Sequence, residues 1–157
     1  MAIDARAAAM ALAVAIAIPA EGLRQYAYYD PPGILTVCYG HTGSDVVKGK
    51  KYTLSECEKF MTNDMRQAIA IVDRCAPGLP VPVLAAFGDS VFNIGQKIAC
   101  DTKNSTAARY LKAGNLEAAC NQLPRWNKAK VVGVMVPLPG LTKRRAAERE
   151  LCLQGLL

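Results

Sequence analysis

Residues 21–43 read EGLRQYAYYDPPGILTVCYGHTG, and the fold is best approached outward from this stretch. Glu21 closes an uncharged, Ala-rich segment. Tyr and β-branched residues then crowd residues 26–40, and Asp30-Pro31-Pro32-Gly33 interrupts them with turn chemistry, so the stretch is predicted to form a β-hairpin or small sheet. Asp30 follows Glu21 by nine residues, and Thr36 follows Asp30 by six. Two carboxylates across a cleft, one kept protonated and one ionised, suit acid-assisted hydrolysis of a glycosidic bond. A lone Glu…Asp pair says little, because such pairs are common. The spacing Glu-x8-Asp-x5-Thr followed by Gly40-His41-Thr42-Gly43 is far more specific.

Upstream, residues 7–20 (AAAMALAVAIAIPA) carry no charge. Fourteen residues fall short of the ~20 that a stable membrane span needs, and Ala adds little to insertion. A cleavable signal peptide also fits poorly, since cleavage after Ala20 would strip Glu21 of its helix. The segment is therefore read as the first helix of the folded domain, with its Ala/Ile/Val face on the core.

Downstream, Thr53-Leu54-Ser55-Glu56 is a capping box that opens a long helix. Phe60, Met61, Met65, Ile69 and Val72 recur along it at helical spacing until Pro77-Gly78. A second helix is expected after Pro82, using Leu84, Phe87, Val91 and Ile94. Shorter helices fit 105–112 and 115–123, and a closing Arg-dense helix fits 142–154, with Thr142 as its cap after Pro139-Gly140. The fold class is α+β and mainly helical, with one small N-terminal antiparallel sheet and a helical C-terminal lobe. Residues 1–157 read as a single domain large enough to bury its own core.

The net charge of +6 is unevenly placed. Residues 1–78 balance eight Lys/Arg against eight Asp/Glu, whereas residues 79–157 carry eleven against five. A basic second half suits an anionic polymer, but charge alone does not choose among murein, an acidic outer-membrane face and nucleic acid. The six cysteines, Cys38, Cys57, Cys75, Cys100, Cys120 and Cys152, show no CxxC pair and accompany a single histidine, which argues against a zinc site. An even count points to three disulfides and an oxidising compartment. Six cysteines allow fifteen pairings; Cys38–Cys57, Cys75–Cys100 and Cys120–Cys152 are the expected set, because each would tie neighbouring elements.

The Glu21/Asp30/Thr36 spacing with its trailing GHTG resembles the active-site signature of the phage-type lysozymes, glycoside hydrolase family 24. The resemblance extends from Glu21 to Cys152, although only this first motif is highly specific. It implies a lysozyme-like fold and an endolysin that hydrolyses the β-1,4 bond between N-acetylmuramic acid and N-acetylglucosamine, with inversion and without metal or cofactor. Glu21 would be the general acid, which requires burial to raise its pKa. Asp30 would stay ionised and position water or stabilise the transition state, and Thr36 would hold the attacking water. Asn93, in Ser90-Val91-Phe92-Asn93-Ile94-Gly95, is the implied sugar contact. His41 is given a structural part, bonded to Asp64, and Trp126 a place in the core. One Arg of the 141–149 segment pairs with the catalytic Glu, with Arg144 preferred over Arg145.

The implied partner is peptidoglycan rather than nucleic acid, met by a monomer in the host periplasm. Some members of the family carry a signal-anchor-release segment, so residues 1–20 are also candidates for a transient inner-membrane association. Two rivals remain: a lytic transglycosylase, which needs no second carboxylate, and a basic protein that binds murein without cutting it.

Overall fold

A computed structural model describes residues 4–157. Residues 1–3 of the expected 1–20 segment lie outside the described residues. The Ala-rich segment forms α1 (Ala5–Glu21), capped by Asp4, whose carboxylate accepts the Arg6 amide. Ala9, Ala13 and Ala17 recur every fourth residue, and all three are fully buried. Side chains this small let α1 lie close against the helices beneath it. Leu12 and Ile18, on other faces, stay partly exposed. Among the described residues no helix is long and apolar enough to cross a membrane.

Strands β1 (Arg24–Tyr29), β2 (Leu35–Cys38) and β3 (His41–Thr42) form one antiparallel sheet in that order. The Asp30–Gly33 turn joins the first two: the Gly33 amide donates to the Asp30 carbonyl at 2.8 Å. Gly33 has φ +85°, a left-handed conformation that glycine adopts without strain. The register pairs Tyr28 with Thr36 and Thr36 with Thr42, which fixes Thr36 on the central strand, beside the turn that carries Asp30.

Helix α2 (Leu54–Cys75) carries the full capping box, with Thr53 and Glu56 bonding reciprocally. Its buried face, including Met61, Met65, Ile69 and Val72, follows the periodicity read from the sequence. Helix α3 (Val81–Ile94) is the centre of the molecule: every residue from Val83 to Val91 is buried. A Cβ added at Gly88 would lie 2.6 Å from Ile69 Cγ1, so a glycine sets how closely α3 approaches α2. Helices α4 (Lys97–Cys100), α5 (Thr106–Ala113) and α6 (Leu116–Gln122) follow, then a 3-10 turn (Leu123–Arg125). Trp126 is half-buried against the core.

Helix α3 starts at Val81, with Pro82 in its first turn and not before it, and α4 was not anticipated; beyond residue 124 two larger features depart from the sequence reading. Residues 124–141, which the sequence reading assigned to no element, contain a second hairpin, β4 (Lys128–Val131) and β5 (Val134–Pro137). Its two-residue turn, Val132-Gly133, has positive φ at both positions, the mirror-image turn that matches strand twist. The closing helix α7 (Pro139–Gln154) starts three residues earlier than expected, with Leu138 and not Thr142 at its N-cap. Pro139 fits the first helical position, where its missing N–H costs nothing. Thr142 lies inside the helix, and its hydroxyl accepts a 2.9 Å bond from the Asn127 amide.

The cysteine pairs within bonding distance are Cys38–Cys57, Cys75–Cys100 and Cys120–Cys152. They join β2 to α2, the end of α2 to α4, and α6 to α7.

Candidate active site

Glu21 is the last residue of α1, and Gly22 breaks the helix there with φ +69°. The carboxyl is held from one side: Arg144 Nη1 donates to Oε1 at 2.5 Å. On the other side Oε2 faces Gly40, so closely that a Cβ at Gly40 would lie 3.0 Å from it. Gly40 also has φ +80°, and both facts demand glycine at this position.

Arg144 is itself anchored. Its Nε and Nη2 donate to the two oxygens of Asp89 on α3 at 2.9 and 2.8 Å, a bidentate pair that is almost wholly buried. Burial works to lower the pKa of Arg144, but Asp89 and Glu21 outweigh it and hold the guanidinium above its ordinary value. Arg145, its neighbour, turns the other way. It pairs with Glu148 one turn along α7, and its Nη2 donates to Asn93 Oδ1 at 2.8 Å. Burial pushes the Glu148 carboxyl well up, and the nearby Asp89 charge adds to this, against the pull of Arg145.

Asp30 sits at the β1–β2 turn. Its Oδ1 accepts the Ile34 amide at 2.8 Å, and Oδ2 lies 3.4 Å from the Thr36 hydroxyl. Thr36 is buried and donates to the Ile34 carbonyl at 2.9 Å, which fixes its rotamer toward Asp30. His41 is stacked on Phe60, with ring centroids 4.0 Å apart. Its Nδ1 lies 2.7 Å from Asp64 and its Nε2 2.8 Å from Asp45. Burial alone would lower its pKa, yet the two carboxylates more than reverse this and raise it.

Two hollows flank the contact between Glu21 and Gly40. A groove of about 640 Å³ runs between α1 and α7, with Ile16, Pro19, Glu21, Asn93, Leu138 and Leu141 among its walls. Pro19 has no N–H to return to the Ala15 carbonyl, so the last turn of α1 lacks one helical hydrogen bond where it borders this groove. A second hollow of about 370 Å³ is lined by Gly40, Thr42, Asp64, Gln67, Phe92 and Gln96. The arginine-held Glu21 carboxyl lines the first hollow, and Gly40, against its Oε2, lines the second.

The phage lysozyme family model matches residues 19–148, a span that begins beside Glu21 and ends at Glu148. The chain belongs to the phage lysozyme family. A SAR-endolysin of bacteriophage PS119 is 37% identical over 139 residues, 86% of this chain and 77% of that protein. Among solved structures, an endolysin from the Escherichia coli O157:H7 phage FAHEc1 superposes with a TM-score of 0.77 at 27% identity, over 93% of this chain and 90% of that one. The muramidase domain of SpmX from Asticaccaulis excentricus also superposes at 0.77, with 26% identity over 93% and 95% of the two chains.

Membership makes the protein a lysozyme of the endolysin type, a glycoside hydrolase of lysozyme-like fold. Within that family frame, the structure brings Glu21, Arg144 and Asn93 to one groove, and sets Asp64 and Gly40 beside the second hollow. Asp30 and Thr36 meet each other on the sheet. The sequence reading missed Asp89 and Glu148. Asp89 had left a signal, a carboxylate amid the apolar run 83–91, because a charge at such a position must be paired. Glu148 had none beyond its i+3 spacing from Arg145 in a segment dense with charge.

Proposed function

We propose that the protein is an inverting muramidase that cuts the β-1,4 bond between N-acetylmuramic acid and N-acetylglucosamine in the peptidoglycan of a Gram-negative host. The observation that carries this reading is the Glu21 carboxyl, held by Arg144 at Oε1, in the wall of the α1–α7 groove and against Gly40, which lines the second hollow. Glu21 gives its proton to the leaving oxygen. Asp30, ionised on the turn, and Thr36 orient a water that attacks the anomeric carbon from the opposite face, so that the configuration inverts. With its carbonyl oxygen taken by Arg145, Asn93 has its amide NH₂ left to donate to sugar. His41 ties the sheet to α2 through Asp64 and takes no proton from substrate. The whole chain acts as one catalytic domain and as a monomer.

The relatives named SAR-endolysins support a periplasmic site of action, reached after a transient inner-membrane association through residues 1–20. In the folded enzyme those described residues of the segment belong to α1 and its Asp4 cap. Fractionation of cells producing the chain tests this: membrane-bound protein early and periplasmic protein late is expected, and protein confined to the cytoplasm refutes it.

The deciding experiment for the chemistry is mass spectrometry of soluble products from purified Gram-negative murein, wild type beside Glu21→Gln. Free reducing N-acetylmuramic acid ends, absent with the variant, are expected. Ends carrying 1,6-anhydro sugar would make the enzyme a lytic transglycosylase and remove the roles of Asp30 and Thr36. Full activity in Glu21→Gln would leave Glu21 without a chemical role. An early-time NMR spectrum of the released anomer checks inversion: the α form must appear first.

A further inference from the structure

A general acid should not be held by a bare cation, because an unopposed arginine at contact distance favours the carboxylate, the form with no proton to give. Yet Arg144 Nη1 touches Glu21. The resolution lies behind it. A guanidinium has three nitrogens, and Asp89 occupies two of those on Arg144, Nε and Nη2, in a bidentate pair. The Asp89 side chain is fully buried and that of Arg144 is 4% exposed, so solvent does little to screen the pair.

We propose that Asp89 is a positioning residue for the general acid: it aims Arg144 at Glu21 and cancels most of the arginine charge that Glu21 would otherwise feel. Seen from Glu21, the Asp89–Arg144 pair is then a dipole that supplies one strong hydrogen bond with little net charge. The anchor also fixes direction. With Nε and Nη2 committed to α3, the plane of the guanidinium is set by two rigid helices, and only Nη1 is left to face the groove.

The other charged groups near Glu21 do not take this part. From α7, Lys143 is exposed at the groove, and Arg145 is committed to Glu148 and Asn93. From the sheet side uncharged Gly40 faces Glu21; Asp30 lies on its own turn, and His41 is held between Asp64 and Asp45. From α3 the charge is Asp89 alone among the described contacts.

This inference rests on Glu21 being the acid, and the test separates the two. The full-length, disulfide-bonded chain is assayed for kcat and KM on purified murein across pH, as wild type, Asp89→Asn, Asp89→Ser and Glu21→Gln, with thermal melts to establish folding. In the neutral Asp89 variants the alkaline limb of the kcat/KM profile is expected to move to lower pH by about one unit, the low end of what an unopposed contact charge produces. KM should change little, and most of the loss at alkaline pH should appear in kcat. An unmoved limb in a folded Asp89 variant, with Glu21→Gln inactive, overturns the role of Asp89 and leaves the muramidase reading intact. Retained hydrolysis in Glu21→Gln overturns both.

Discussion

Replacing Cys120 and Cys152 together with Ala should cost the fold about 3.7 kcal/mol at 25 °C, by the chain-entropy relation for a closed loop. The crosslink spans 32 residues and ties α6 to α7. Both cysteines are fully buried, so the substitution also removes two core side chains without adding a polar group. The cost falls on more than stability: α7 carries Arg144 and Arg145 two turns upstream of Cys152, and its hold on α3 is what presents Arg144 to Glu21. Urea denaturation followed by circular dichroism measures the effect. With a slope of about 2 kcal/mol per molar, the midpoint should fall by about 2 M. Activity of the folded variant at low denaturant should stay within a few-fold of wild type, because α3 and the ion pairs still hold α7. A loss below about 1 kcal/mol at an unchanged slope would refute the reasoning, since it would mean that the crosslink constrains little of the unfolded chain.

Gly88→Ala should destabilise the protein by about 1–3 kcal/mol in thermal or urea unfolding, because the added Cβ would meet Ile69 at 2.6 Å in a packed helix interface. Val132→Asn should stabilise it by about 1 kcal/mol, since Val132 is a β-branched residue at φ +49° in a turn that favours Asn before Gly; no gain in melting temperature would contradict the turn assignment. Arg145→Met should cost about 3–5 kcal/mol near neutral pH by leaving Glu148 buried without its partner, and less in acid, where Glu148 takes up a proton. His41 has a raised pKa in the folded state, so its ionic contribution is fully present below the unfolded value of ~6.5 and is lost as pH rises through the folded value; melting temperatures of wild type and His41→Asn should therefore differ most at acid pH and converge above it.

Much of this molecule is legible in its amino-acid sequence. Thr53 and Glu56 bond only across one helical turn, so the start of α2 was written in four residues. The Asp30–Gly33 turn is equally local, because Pro and Gly restrict or free their own φ whatever surrounds them. The hairpin at 128–137 was legible in principle, in the Val residues around Val132-Gly133, but its two short strands lie between a helix end and Pro137–Pro139 and carry no strict alternation of buried and exposed positions. The start of α7 was misplaced because a cap was sought by residue type, and Pro139 at the first helical position needed no such side chain.

The spacing of Glu21, Asp30 and Thr36 could be recognised in the sequence because all three belong to one local unit, a helix end running into a hairpin. The sequence also determined the fold class and the even set of cysteines, since periodicity and counts are properties of the chain itself. What only the tertiary structure decided were the contacts between elements far apart in sequence: that Arg144 and not Arg145 reaches Glu21, that Asp89 stands behind it, and that Arg145 turns to Glu148 and Asn93. Adjacent residues on a helix point about 100° apart, so which arginine faces the groove depends on how α7 is rotated against α3, and that rotation is set by packing across the whole core.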